Sequence, residues 1–377
     1  MQLVMSEEQQ LLAKTARDLV REQAPVARLR SLREDPVGYD PALYRRMAEL
    51  GWMSLPIPER DGGLGLGLAD VICVTEALGR GLASEPYLSS FLCGQLLARA
   101  GNEEQKSAYL APLMAGEAEL ALAYAERGQR FDWQRSATHA NATADGFELS
   151  GEKQQVLGAT RANAFIVVAR TSNARAQAGD LSLFVVPRGI AGVSVTRQWR
   201  IDAAPVARLL LSKVRVPRVA LLGTESEAEP LLADTLDRAT VALSAEMLGA
   251  MSEAFERTLA YLKERVQFGV AIGSFQALKH RAARLYIEIE LTRSAVLAAA
   301  RTFDAGAPGA AALASVAKAR ASDAFLLIAN EAVQMHGGVG MTDEHDIGFF
   351  LKRARACEMT FGDAAFHRDR FAKLSSF

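Results

Sequence analysis

Between Arg238 and Met251 the chain reads ATVALSAEMLGA, and Glu246 is the only charge inside that stretch. A carboxylate set among small and apolar side chains has three fates. It snorkels to the surface, it is buried against an arginine or backbone donors, or it is buried unpaired with a raised pKa. A group of the last kind is a good general base near neutral pH, and such groups gather at catalytic sites. Glu246 is therefore the first candidate for proton abstraction.

The chain that must position it has 377 residues, enough for two or three packed units. It is 50% hydrophobic and 23% charged, as expected of a soluble globular protein. A net charge of −1 gives no electrostatic basis for binding nucleic acid or an anionic membrane. Cys73, Cys93 and Cys357 are odd in number and lack CxxC spacing, so neither a disulfide framework nor a zinc site is expected. That usage fits a reducing, cytoplasmic location. The start MQLVMSEEQQ lacks the basic and apolar regions of a secretory signal. No apolar run reaches the ~18 residues of a membrane span. His336 and His345 have no carboxylates at ligand spacing, so no metal site is expected.

Three regions follow one another. Residues 1–120 read as helices, with a capping box at Ser6 and Gln9 and a second start at Asp40-Pro41 that stops before Gly51. The glycine cluster DGGLGLG, from Asp61 to Gly67, lacks the Lys-Ser/Thr of a phosphate loop and reads as a connection. The charged run Arg28 to Asp35 reads as a solvated helix face, and Trp52 as core. Residues 121–226 hold short β-rich runs such as FIVV and LFVV, with a hairpin turn at Asp145-Gly146, which predicts a small barrel or sandwich. Residues 227–377 are helical and alanine-rich, broken near Gly269, Gly306 and Gly337, which predicts a four-helix bundle. The expected fold is thus α+β and multidomain.

Two motifs in the last region carry a resemblance. RVQFGVAIGSFQALKH, from Arg265 to His280, and QMHGGVG, from Gln334 to Gly340, make the chain resemble the acyl-CoA dehydrogenase family over essentially its whole length. The resemblance implies FAD, an acyl-CoA thioester and an α,β-dehydrogenation in which a carboxylate removes the α-proton and flavin N5 takes the β-hydride. It implies that Arg265, a planar fork of donors, meets the flavin pyrophosphate. Gln267, Phe268 and Gln276 would line the cofactor, and Gln334 with Gly337 and Gly338 would approach it closely. In the family this flavin belongs mainly to a neighbouring subunit, which implies an oligomer. An electron-transfer flavoprotein is the implied electron acceptor.

The departures from the family pattern concern the base. Members carry it in a Tyr-Glu-Gly-Thr segment, where this chain has Thr360, Phe361 and Gly362. A second position used by some members falls on Ala239. Glu246 then stands as the candidate base, with Asp363 as runner-up or as a helix cap. A backbone N–H at Phe361 could still polarise the thioester, since it needs no particular side chain. In the middle region GEKQQVL keeps Gly151 and Lys153 of a Gly-x-Lys-x-Trp-Ile-Thr strand, and AYAERGQRFD keeps Glu126 of a second segment. The C-terminal sequence resembles the small subunits of two-subunit bacterial members, of the pimeloyl-CoA dehydrogenase small-subunit type. That implies a heterotetramer with a large subunit, with a homo-oligomer as the alternative the family resemblance leaves open, and makes a dicarboxylyl-CoA one candidate substrate. Two readings stand: a self-sufficient dehydrogenase using Glu246, or a non-catalytic or half-site subunit completing a partner's flavin site. An oxidase on the same fold would show itself by oxygen consumption.

Overall fold

A computed structural model describes residues 4–171 and 180–377. Its longer helices are α1 (Glu7–Gln23), α2 (Pro41–Glu49), α3 (Leu68–Arg80), α4 (Tyr87–Ala100), α5 (Glu229–Glu264), α6 (Gln276–Asp304), α7 (Ala310–His336), α8 (Ile347–Met359) and α9 (Ala364–Leu374). Helical ends flank a central sheet, as the sequence predicts. The packing, however, groups the described residues into two compact units. One comprises residues 1–31, 67–83 and 240–377, and the other comprises residues 32–66 and 84–239. The N-terminal helices are therefore divided between the two units.

The second unit is built on strands β1 (Leu120–Ala123), β2 (His139–Ala142), β3 (Gly146–Leu157), β4 (Ala164–Thr171), β5 (Leu181–Pro187), β6 (Val193–Gln198), β7 (Val206–Pro217) and β8 (Leu221–Leu222). They pair in the order β6-β7-β3-β2-β4-β5-β8, with β1 parallel to β4. Phe147 of β3 meets Phe184 of β5 edge-on at 5.0 Å, so both halves of the sheet close on one apolar core. Strand β4 is buried along nearly its whole length, which is why it reads as an unbroken apolar run. The predicted turn joins β2 to β3, with Thr143 N–H donating to Gly146 O at 2.9 Å. Gly146 is needed there for close approach, because a Cβ would lie 2.0 Å from Val216 O. The cluster at 61–67 is a connection whose Gly63 is packed: a Cβ there would lie 2.0 Å from Ile57 O.

The first unit is the helical bundle. The Ser6–Gln9 capping box opens α1 as expected. Helix α3 begins at a glycine that offers no capping side chain, and Asp304 supplies one from the end of α6 by accepting from Leu68 and Ala69 N–H at 2.6 and 2.9 Å. Helices α3 and α5 cross in backbone contact. A Cβ on Gly79 would lie 1.9 Å from Glu246 O, and one on Gly249 would lie 1.8 Å from Glu76 O. This reciprocal glycine contact fixes the stretch of α5 that carries Glu246. The charged run is not wholly solvated, since Arg30 reaches Asp346 and the carbonyls of Asp343 and Glu344. No helix among the described residues is long and apolar enough to cross a membrane.

Candidate functional site

At the end of α5, Arg265 N–H donates to Tyr261 O at 2.9 Å, and the chain leaves the helix as a two-stranded hairpin, β9 (Val266–Gln267) and β10 (Val270–Ala271). The tip residues Phe268 and Gly269 both have positive φ, 56° and 79°. That is the two-residue turn which suits hairpin twist, but a bulky residue there is strained by roughly 1 kcal/mol or more. Phe268 is nonetheless 92% exposed, touching Phe275 edge-on at 6.2 Å. Arg265, Gln267 and Gln276 are exposed beside it. A strained, exposed aromatic tip is a poor arrangement for an isolated chain and a good one for contacting another molecule.

The second motif closes α7. His336 is buried, stacks on Tyr261 with ring centroids 4.4 Å apart, and accepts from the Tyr261 hydroxyl through its carbonyl at 3.3 Å. Tyr261 lies one turn before Arg265, and Gly337 follows His336, so this contact joins the two motifs. Gln334, Gly337 and Gly338 are exposed. Gly337 has φ 67°, which explains the glycine. Gly338 has no such φ, and a Cβ on it would meet nothing within 4 Å. The packing of this chain gives no reason for glycine at 338; close approach by a molecule from outside would.

The candidate base has a partner. Arg353 Nη1 donates to Glu246 Oε1 at 2.8 Å, and the same guanidinium donates to Leu82 O and Ala83 O at 3.0 and 3.3 Å. Arg353 is buried on α8. Glu246 is therefore not an unpaired buried carboxylate: the Arg353 guanidinium claims one of its oxygens. Arg353 escapes a reading of the sequence because its charge sits among LKRARA, where nothing singles it out. The runner-up, Asp363, caps α9 by accepting from Phe366 N–H at 2.8 Å. Ala239 is fully buried, and Phe361 is half-buried with φ 61°.

Family models for acyl-CoA dehydrogenases match the chain in succession: the N-terminal domain over residues 6–117, the middle domain over 121–214 and the C-terminal domain over 230–375. The chain is 35% identical to acyl-CoA dehydrogenase IpdE2 of Mycobacterium tuberculosis, over 92% of this chain and 91% of that one. The chain belongs to the acyl-CoA dehydrogenase family. It is 31% identical to the probable acyl-CoA dehydrogenase YngJ of Bacillus subtilis, over 98% of each. Among solved structures it superposes on a chain of the ChsE4–ChsE5 complex from Mycobacterium tuberculosis with a TM-score of 0.90 and 27% identity, covering 100% of this chain and 99% of that one. The exposed guanidinium, three exposed amides, bare glycine backbone and aromatic tip fit the pyrophosphate and rings of FAD. The protein is an FAD-dependent oxidoreductase of acyl-CoA thioesters.

In this acyl-CoA dehydrogenase the two eroded middle-domain motifs meet through their surviving residues. Lys153 Nζ, fully buried, donates to Glu126 Oε1 at 2.5 Å and to Ser136 Oγ at 3.0 Å. Glu126 also accepts from Thr138 Oγ1 and from the N–H groups of Ala137 and Thr138. Burial works to raise its pKa, but Lys153 and these donors win and hold it at about 2. Burial pulls Lys153 down to about 8 against the pull of Glu126. Gln155, where the family has Trp, is exposed at φ 52° in a bulge of β3. The Lys153–Glu126 pair ties the two segments together inside the sheet. Among the described residues, no cluster of His, Cys, Asp and Glu could hold a metal ion.

Proposed function

We propose that this chain is one half of a paired acyl-CoA dehydrogenase and that a companion chain supplies the carboxylate that removes the α-proton. One observation carries the reading: a phenyl group stands at Phe361, while Glu246, the remaining candidate, is committed to Arg353. The backbone N–H of Phe361 polarises the thioester carbonyl, so the α-proton becomes more acidic without any side chain at that position. Arg265, Gln267, Gln276 and Gln334 donate to FAD, Phe268 packs against it, and Gly337 and Gly338 allow its close approach. When bound, FAD supplies the hydride acceptor. The likeness to a chain of the two-component ChsE4–ChsE5 complex supports a paired assembly. A further similar structure, 27% identical with a TM-score of 0.92, was solved in connection with the electron-transferring flavoprotein of Acidaminococcus fermentans, which supports that class of electron acceptor here.

The test is anaerobic. The chain is purified alone and with its co-purifying companion, and each is mixed with a panel of saturated acyl-CoAs that includes a dicarboxylyl-CoA. Flavin absorbance should bleach in the pair and not in the chain alone. Bleaching by the chain alone would sink the proposal and return attention to Glu246.

A further inference from the structure

The loop between α8 and α9 is held by two buried groups that the reaction scheme leaves unused. Lys318 of α7 has no exposed surface. Its ammonium donates to Gly362 O at 2.7 Å, Glu358 O at 3.2 Å and Ser322 Oγ at 3.1 Å. His367 of α9 places Nε2 3.1 Å from Phe361 O and Nδ1 3.3 Å from Ser315 Oγ. Burial, with Lys318 and Arg370 close by, pulls the His367 pKa down to about 3, so the ring is neutral at neutral pH. The nitrogen facing a carbonyl must carry the hydrogen, which makes Nδ1 the acceptor for the Ser315 hydroxyl. Ser315 Oγ in turn accepts from Arg370 Nη1 at 3.1 Å. The relay thus runs from Arg370 through Ser315 and His367 to the carbonyl of Phe361.

What the two groups hold is unusual backbone. Phe361 has φ 61° and Gly362 has φ 120°. A Cβ on Gly362 would lie 2.8 Å from His367 Nε2, so glycine is what lets the imidazole reach the loop. A bulky residue in the left-handed region persists only where its surroundings over-determine it. Here the carbonyls of residues 358, 361 and 362 are each claimed by a buried donor.

We infer that Lys318 and His367 are positioning residues for substrate: by fixing these carbonyls they aim the backbone amide of Phe361 at the thioester oxygen. The inference rests on the proposed role of that amide. A backbone donor has no side chain to orient it, so its direction is set by the peptide planes around it. A fixed donor is worth more than one that must reorganise.

The test uses the flavin-loaded assembly and binding rather than turnover. Two probes are titrated by calorimetry: an α,α-dimethyl acyl-CoA, which has no α-proton to lose, and its thioether counterpart, which has no carbonyl. Wild type should prefer the thioester. Lys318→Met and His367→Leu should each cut that preference about tenfold, the worth of one hydrogen bond, with thioether affinity and flavin content unchanged. His367→Gln keeps an N–H donor and should restore the preference. An undiminished preference in folded, flavin-loaded Lys318→Met and His367→Leu overturns the inference. Equal loss of both probes, unrescued by His367→Gln, also overturns it, since that marks a general structural role. A wild-type assembly with no thioester preference would instead refute the proposed role of the Phe361 amide.

Discussion

At the scale of single residues, the fate of Glu246 shows what a lone charge in an apolar segment can mean. The sequence shows the charge but not its partner, which lies 107 positions away on another helix. Glu246→Gln keeps the shape and removes the carboxylate charge beside the buried guanidinium. It should cost about 2–4 kcal/mol of stability in urea unfolding, while turnover of the assembled enzyme stays within about twofold, since no transition-state contact is lost. A collapse of turnover with the fold and flavin intact would make Glu246 the base after all. Glu126 makes a separate prediction. Its folded pKa of about 2 lies below the ordinary 4.5, so its stabilisation is complete above about pH 4.5 and drains away as the pH falls toward 2. Glu126→Gln should be less stable at pH 7 and should lose that part of the acid limb, as followed by unfolding across pH 2–5. An acid limb identical to wild type would mean that the Lys153 pair does not set it.

At the scale of elements, the ends of helices and the tips of hairpins are readable because their causes are local. Ser6 with Gln9, and Asp40 with Pro41, sit within one turn of the backbone groups they satisfy. The turn near Gly146, the nearly fully buried β4 and the breaks in the bundle follow the same logic. The two glycine-bearing motifs are legible as flavin contacts only through resemblance, because no local rule makes Gly337-Gly338 more than a helix stop. What escapes the sequence is long-range: Asp304 capping α3, the Gly79–Gly249 crossing, and Lys318 and His367 gripping the 361 loop. Each depends on which helices become neighbours. The difference between local and external demand can be measured at two nearby glycines. Gly340→Ala should destabilise the chain, since its Cβ would come within 2.7 Å of Val333 O. Gly338→Val enters open space and should leave unfolding within about 0.5 kcal/mol of wild type, yet it should weaken flavin retention at least tenfold. Unchanged flavin retention in Gly338→Val would remove that glycine from the cofactor site.

At the scale of the whole molecule, the surface itself argues for shared cofactor binding. The donors assigned to the flavin lie on an exposed hairpin, an exposed helix start and an exposed glycine turn of one unit. Exposed donors hold a dinucleotide weakly, since water competes for every hydrogen bond and charged pairs in high dielectric are worth little. Tight binding then needs an opposing surface that covers the ligand, and a second chain brings one. On the proposed paired assembly, flavin affinity is linked to association of the chains, and occupancy should depend on protein concentration as well as on free FAD. Stepwise dilution of the flavin-loaded assembly into the nanomolar range should release flavin, seen as a rise in its fluorescence, in step with dissociation of the chains. Phe268→Ser removes the exposed apolar tip without touching a core contact. It should move the release midpoint to higher protein concentration while leaving the melting temperature of the separated chain unchanged. Flavin that stays bound through chain dissociation, with the same midpoint in Phe268→Ser, would place the cofactor within a single chain. The hairpin would then have to be explained as a surface for something else.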